Sequence, residues 1–168
     1  MEVGFHNTNP FLHVPAALLN WARIEQDTRR GDVEWTDWVT PTARRIGGLM
    51  DAEKVAILSA IGLRAYNRDE LSQMHYRGEK MPVVSPTGEF PEPMPTVPPR
   101  YITEDVPMAL VPIAEMASKV GVPTPVLDLL IDLAGLVKET DFRKQGRTLE
   151  KMSLADKSVK EILAIVNG

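Results

Sequence analysis

The apolar residues recur at helical spacing along most of the chain. Over residues 14–25, the positions Val14, Leu18, Trp21 and Ala22 fall on one face of a helix. A longer stripe over residues 42–61 consists of Ile46, Leu49, Met50, Val55, Ile57, Leu58 and Ile61. No segment alternates apolar and polar residues with period two, which is the spacing of a half-buried strand. The pattern therefore predicts an all-α fold.

Capping residues indicate where the helices of the first half begin and end. Thr40 followed by Pro41 predicts a helix start, because a threonine side chain can accept a backbone N–H there and the first position needs no donor. Gly62 suits the left-handed conformation that ends many helices. Asn67 predicts the start of a shorter helix that runs to Tyr76.

The second half predicts three further helices. Thr103 is the predicted N-cap of a helix that runs to Val120 and ends at Gly121. Pro112 lies too deep in that helix for a first-turn proline, so we expect a kink there. The remaining helices are predicted over residues 125–137 and 159–166, and a polar linker at 140–158 joins them.

Two other segments lack helical spacing. Residues 26–39 are polar and contain two tryptophans, so we predict a loop with aromatic anchors. Residues 82–107 hold eight of the chain's 14 prolines, a density that no regular helix or central strand tolerates. We therefore predict a long Pro-rich internal loop at residues 77–103, within a single domain that spans residues 1–168.

The composition excludes several classes of site. The sequence has no cysteine, which excludes a disulfide framework, a thiolate nucleophile and a zinc site built on sulfur. The net charge is −4, and lysines and arginines are not clustered as on a nucleic-acid surface. No apolar run approaches the roughly 18 residues of a membrane span, and a signal-peptide pattern is absent. We expect a cytoplasmic protein with no metal site and no nucleic-acid or membrane partner.

His13 is the histidine best placed for chemistry. The others are His6 and His75, whereas His13 stands in a turn-rich segment directly before the first predicted helix. The dipole at a helix N-terminus disfavours the charged imidazolium, which suits a histidine to general acid–base catalysis near neutral pH. The alternative is that His13 caps the helix or packs beside Trp21.

A second cluster of charged residues opens the helix predicted after Thr103. Asp105 near a helix N-terminus should stay ionised, and an ionised aspartate can orient a histidine and stabilise its imidazolium form. Arg100 offers a planar guanidinium group that suits a carboxylate ligand. The alternative is ordinary N-terminal helix charge together with a surface pair between Arg100 and Glu104.

Both segments resemble the C-terminal helical domain of the opine dehydrogenases, the octopine and nopaline dehydrogenases among them. The first motif is Asn-Pro-Phe-Leu-His-Val-Pro at residues 9–15, and the second is Arg-Tyr-Ile-Thr-Glu-Asp-Val-Pro at residues 100–107. The resemblance continues through residues 110–114 and 121–125 and ends at residues 146–152.

The chain departs from the family pattern in two respects. Val14 separates His13 from Pro15, where many relatives have His-Pro directly, and this makes His6 a distant second candidate. The family's Gly-rich phosphate loop, which belongs to an N-terminal Rossmann domain, is absent from the sequence. Gly47-Gly48 lies inside a predicted helix and is not a phosphate-binding turn.

The resemblance implies a multi-helix domain similar to the C-terminal helical domain of 6-phosphogluconate dehydrogenase. Its members condense an amino acid with a 2-oxo acid and reduce the resulting imine with NADH or NADPH. It further implies that His13 is the catalytic acid and base, that Asp105 holds its imidazole at hydrogen-bond distance, and that Arg100 binds a substrate carboxylate. NAD or NADP is then bound mainly by a Rossmann domain outside this chain, which alone is expected to be inactive.

The alternative is a non-catalytic helical oligomerisation or interaction module that presents the Pro-rich residues 91–95 to a partner. On the family interpretation, the surface around His13 and the helix at 104–120 is left partly apolar, so we expect a homodimer or a higher oligomer. The three methionines Met74, Met108 and Met116 are predicted to be core residues.

Overall fold

Helices form the regular structure of the computed structural model, which describes residues 2–26, 38–76 and 100–167. These ranges contain no strand, which confirms the predicted all-α class. The helices are α1 (Glu2–Phe5), α2 (Pro10–Leu19), α3 (Trp21–Gln26), α4 (Pro41–Ile61), α5 (Arg68–Tyr76), α6 (Arg100–Thr103), α7 (Val111–Val120), α8 (Pro125–Val137), α9 (Phe142–Gln145) and α10 (Val159–Asn167). A π-helical turn, Val106–Leu110, lies between α6 and α7.

Most of the two predicted loops lies outside the described residues. The Pro-rich residues 77–99 and the proposed partner segment at 91–95 are among them. Residues 100–103 are helical, so the predicted end of the Pro-rich loop at residue 103 is wrong. Trp38 belongs to the other predicted loop, at residues 26–39, and its side chain is buried in the core, as expected of an aromatic anchor.

The first predicted helix is in fact two helices, and the first of them begins earlier than residue 14. Pro10 takes a first-turn position of α2, where a missing N–H costs nothing, and the His13 N–H donates to the Asn9 carbonyl over 2.8 Å. His13 therefore lies inside α2 rather than directly before a helix. The chain breaks between α2 and α3 at Asn20, whose Nδ2 donates to the Trp38 carbonyl over 3.1 Å.

The predicted caps of α4 and α5 are confirmed. The Thr40 side chain accepts the Ala43 N–H, and Gly62 ends α4 with a φ of 81°. At the start of α5, Asn67 Oδ1 accepts the Glu70 N–H while Glu70 Oε2 accepts the Asn67 N–H, which is a reciprocal capping box.

Helices α2 and α4 cross in close contact at Gly47. Pro15 lies inside α2 and has no N–H, so it cannot donate to the Phe11 carbonyl four residues earlier. A Cβ atom on Gly47 would lie 2.1 Å from that carbonyl oxygen. Only glycine therefore allows α4 to approach the turn of α2 that carries His13.

We expect Gly47→Ala to destabilise the fold by about 1–3 kcal/mol or more, because backbone atoms must separate to admit the methyl group. Gly48→Ala is the matched control, since a Cβ there meets nothing within 4 Å. Alanine at that position should stabilise α4 by up to about 1 kcal/mol. Urea unfolding of both variants measures the two changes. Equal stabilities would contradict the close crossing.

A buried ion pair lies in the middle of α4 and contacts the turn before α5. Lys54 is fully buried, and its Nζ lies 2.7 Å from Asp51 Oδ1 and 2.9 Å from the Tyr66 carbonyl. Asp51 Oδ2 accepts the Arg68 N–H over 2.7 Å. Lys54 Nζ also lies 5.6 Å from the centre of the Phe11 ring. The pair thus connects α4 to the turn before α5 and to the α2 turn before His13.

The helical run that contains Asp105 begins before Thr103. The Arg100 carbonyl accepts the Glu104 N–H over 2.9 Å, so Thr103 is the last residue of α6 and the prediction that it is an N-cap is wrong. Asp105 consequently lies inside a helical run rather than in the first turn of a helix. The Met108 N–H donates to the Glu104 carbonyl over 2.9 Å, which continues the run into the π-helical turn.

A π-helical turn lies directly before the residues where a kink was predicted at Pro112. A proline ring clashes with the carbonyl four residues earlier in a regular α-helix and offers no N–H. The preceding turn widens, and the Val111 N–H donates to the Val106 carbonyl, five residues earlier. Beyond Pro112, α7 is regular and ends as predicted at Gly121, with a φ of 72°.

The predicted polar linker at residues 140–158 packs on the core, so its description as a linker is wrong. It contains the short helix α9, and Phe142, Leu149 and Leu154 are buried. The Leu149 N–H donates to Glu115 on α7. Apolar residues at irregular spacing give no helical period, and this explains why the pattern concealed them.

The core lies where α2, α4, the π-helical turn, α7 and α8 meet. Glu53 on α4 connects two of these helices, because its carboxylate accepts the N–H groups of Val126 and Leu127 at the N-terminus of α8 over 2.8 and 2.9 Å. Met116 is buried as predicted, whereas Met74 and Met108 are exposed, so their assignment to the core is wrong. Across the described ranges, no helix combines the length and apolarity needed to cross a membrane.

Candidate active site

His13 and Asp105 meet where α2 packs against the run between α6 and α7. Nδ1 of His13 lies 2.8 Å from Oδ2 of Asp105, although the two residues are 92 positions apart in sequence. Their side chains are only 16% and 18% exposed. A carboxylate accepts but does not donate, so Nδ1 carries the proton, and in the neutral ring Nε2 is the basic nitrogen. The pair has the arrangement of a general acid–base orientated by an anion.

Tyr101 stacks on the imidazole of His13. The ring centres lie 3.8 Å apart and the planes are inclined by only 15°. Burial raises the pKa of the Tyr101 hydroxyl; the neighbouring Asp105 raises it further and Arg100 opposes the rise. The phenol is therefore neutral where a histidine titrates. Tyr101 and Asp105 stand four residues apart in the helical run. Their side chains therefore lie on the same side of that run, where both contact the imidazole of His13.

Arg100 begins α6 next to Tyr101 and is exposed. Its guanidinium carbon lies 5.9 Å from the centre of the Tyr101 ring, within the range of a cation–π contact. Arg100 thus lies beside the ring that stacks on His13. An exposed guanidinium group in this position can donate hydrogen bonds to a carboxylate without displacing a buried partner.

The segment at residues 146–147 supports the π-helical turn beside Asp105. The Pro107 carbonyl lacks a helical donor because Pro112, five residues on, has no N–H, and the Arg147 N–H fills that place over 2.8 Å. A Cβ on Gly146 would lie 2.8 Å from the same carbonyl oxygen and 3.0 Å from Val111 Cβ. This close approach explains why residue 146, the first of the segment at 146–152, is a glycine.

The structure brings the three predicted site residues together. The hydrogen-bond distance expected between His13 and Asp105 is present, and Arg100 lies beside the Tyr101 ring that stacks on His13. The catalytic and binding roles of the three residues stay predictions. His6, the second candidate, instead places Nε2 3.1 Å from the Arg64 carbonyl and contacts the Tyr66 ring. The histidine side chain at position 75 lies outside the described part of the chain.

Tyr101 was not among the predicted site residues, although its ring contacts His13. The signal was its spacing of four residues from Asp105, which places both on one face of a helix. That signal was hidden because the helix was predicted to start after Thr103 rather than at Arg100.

In the part of the chain that the structure describes, neither a cluster of metal ligands nor a glycine-rich phosphate loop is present. Among the described residues, no group of three or more His, Asp or Glu side chains is arranged to hold a metal ion. The double glycine at 47–48 lies inside α4, where the backbone N–H groups are used by the helix. The chemistry available to His13, Asp105 and Arg100 is proton transfer and carboxylate binding.

The chain is similar in sequence to several known proteins. The family model described as "NAD/NADP octopine/nopaline dehydrogenase, alpha-helical domain" matches residues 1–138. An opine dehydrogenase of Arthrobacter sp. (strain 1C) is 33% identical over 160 residues, which cover 92% of this chain and 44% of that protein. A vitopine synthase of Allorhizobium ampelinum is 30% identical over 173 residues, covering 99% of this chain and 48% of that protein. The chain thus spans about half the length of these relatives.

Proposed function

The chain belongs to the alpha-helical domain family of the NAD/NADP octopine/nopaline dehydrogenases, and from this premise we propose that it is the substrate domain of an opine dehydrogenase-like oxidoreductase. The reaction joins the amino group of an amino acid to the carbonyl carbon of a 2-oxo acid. Water leaves to give an imine, and reduction of the imine forms a CH–NH bond. NADH or NADPH, held mainly by a Rossmann domain outside this chain, supplies the hydride.

His13 transfers the protons of the condensation. Its basic Nε2 accepts a proton from the attacking amino group, and the imidazolium then returns a proton to the carbinolamine hydroxyl, which leaves as water. Asp105 fixes the tautomer and compensates the positive charge while the ring is protonated. The observation that carries this proposal is the 2.8 Å contact between Nδ1 and the Asp105 carboxylate.

Arg100 binds a substrate carboxylate. Both substrate classes carry one, and a guanidinium group binds a carboxylate through two parallel hydrogen bonds. The guanidinium carbon of Arg100 and the imidazole of His13 lie 5.9 Å and 3.8 Å from the centre of the same Tyr101 ring, which supports a carboxylate site near the imidazole. Substrate orientation and proton transfer thus arise from one short helical stretch and one turn of α2.

The second candidate is a non-catalytic helical oligomerisation module. It is favoured by Leu129 and Leu136, seven residues apart on α8 and 64% and 78% exposed. Exposed apolar residues on one helical face are typical of protein interfaces. Met108, in the π-helical turn, is also exposed. A homodimer fits either candidate, so association alone does not distinguish them, whereas activity does.

Reconstitution with a cofactor domain tests the proposal. The chain alone should bind neither NADH nor NADPH by calorimetry and should show no dehydrogenase activity. Mixed with a separately expressed Rossmann domain of the Arthrobacter relative, it should support NAD(P)H oxidation that requires both an amino acid and a 2-oxo acid. Micromolar NAD(P) binding by the chain alone would contradict the division of roles. Absence of activity over a broad substrate panel would favour the oligomerisation module.

A further inference from the structure

We propose that Tyr101 is a positioning residue that fixes the plane of the His13 imidazole. The proposal rests on the proposed function for its catalytic consequence, but not for its geometry. The contacts that hold the ring include the Asp105 carboxylate at Nδ1 over 2.8 Å and the Tyr101 ring on its face at 3.8 Å. They constrain different motions of the same ring.

The hydrogen bond alone does not fix the direction of Nε2. The terminal torsion of a histidine side chain is broad, because it joins a tetrahedral carbon to a planar ring. Rocking about that torsion changes the plane of the ring while Nδ1 stays near Asp105. A base that moves in this way spends part of its time aimed away from the reacting atom, which costs catalysis through lost orientation.

The stacked ring removes this freedom. At a centre-to-centre distance of 3.8 Å and an inclination of 15°, the two rings are in van der Waals contact, so rocking drives the edge of the imidazole into Tyr101. Tyr101 contacts the face of the imidazole and Asp105 contacts its edge at Nδ1. Because the two residues are one helical turn apart, both contacts come from one rigid helical run. The Nε2 direction is therefore set by α6 as well as by α2.

The stacking partner of His13 is a neutral ring, because burial keeps the pKa of the Tyr101 hydroxyl above its usual value. The charged groups beside the pair are Asp105 and Arg100. A phenylalanine preserves the stack, whereas a leucine removes it.

Nitrogen-15 NMR of the full chain tests the proposal without requiring activity. Wild type and Tyr101→Phe should show one His13 tautomer with a proton on Nδ1 that exchanges slowly with water. In Tyr101→Leu we expect this exchange to accelerate by up to about tenfold, the loss of one aromatic pair, and the His13 ring protons to lose their upfield ring-current shift. Glu104→Gln, an exposed neighbour in the same run, is the matched control and should change neither readout.

The kinetic arm uses the reconstituted enzyme. Tyr101→Leu should lower kcat while KM stays unchanged, and Tyr101→Phe should keep both near wild type. Unchanged exchange in Tyr101→Leu would overturn the proposal, as would accelerated exchange with a normal kcat. If the wild-type mixture is inactive, the proposed function fails, yet the exchange rates still decide whether Tyr101 positions the ring. Melting curves verify that each variant is folded.

Discussion

His13→Ala should lower kcat of the reconstituted dehydrogenase by about 10²–10⁴-fold, the range that a positioned general acid–base contributes. The imidazole is the only basic group that the described site brings into contact with both Asp105 and Tyr101. Its loss should leave substrate binding almost intact, so KM changes little. Steady-state rates with saturating amino acid, 2-oxo acid and NAD(P)H measure the effect.

Three further variants separate the roles within the site. Asp105→Asn should also lower kcat, and the double variant with His13→Ala should be no slower than His13→Ala alone, because the pair acts as a unit. Arg100→Ala should mainly raise KM for a carboxylate substrate. His6→Ala is the matched histidine control and should be fully active. Normal turnover in His13→Ala would refute its catalytic assignment.

Lys54→Met should destabilise the fold by about 3–5 kcal/mol, because it leaves the Asp51 carboxylate buried without its cation. For a domain of this size, such a loss corresponds to a fall in melting temperature of roughly 10 °C. The Tyr66 carbonyl and the Phe11 ring lose the same partner, so the α2 turn before His13 also loses a support. Differential scanning calorimetry measures the change.

The matched control for this prediction is Lys157→Met. Lys157 Nζ also lies 2.8 Å from a carboxylate, that of Asp156, but this pair is on the surface. Water screens an exposed pair, so its removal should leave the melting temperature nearly unchanged. A double variant, Asp51→Leu with Lys54→Met, should recover much of the lost stability, because both charges are then gone. Equal melting temperatures for Lys54→Met and Lys157→Met would contradict the buried pair.

Local chemistry predicted the helix ends that depend on a single residue. The side chains of Thr40 and Asn67 accept backbone N–H groups at the start of a helix. Gly62 and Gly121 take the left-handed conformation that a side chain disfavours. The helical period likewise predicted the all-α class. These features are encoded within about one helical turn of sequence.

Features that depend on packing were predicted less well. Pro10 and Pro15 are both compatible with a helix start, and the spacing of the sequence does not show that α2 begins at Pro10 and that its Phe11 carbonyl lies against Gly47 of α4. The apolar residues of the segment at 140–158 lack a period, although Phe142, Leu149 and Leu154 are buried in the core.

The residues of the candidate site were predictable, but their arrangement was not. His13 and Asp105 were predicted from the resemblance to the opine dehydrogenases, because nothing local brings together residues 92 positions apart. The stack of Tyr101 on His13 depends on the start of α6 at Arg100, which the predicted cap at Thr103 obscured. Residue types were thus predictable, whereas the orientation of the imidazole was not.

The product of the reconstituted enzyme shows whether the chain supports the condensation of an amino acid with a 2-oxo acid. The assay combines the chain, a Rossmann domain, NAD(P)H, a ¹⁵N-labelled amino acid and a 2-oxo acid, and mass spectrometry identifies the product. The account predicts one secondary amine, carrying the label and both carboxylates, for each NAD(P)H oxidised, with His13→Ala forming little of it. Oxidation of NAD(P)H that yields a 2-hydroxy acid and no labelled secondary amine would contradict it.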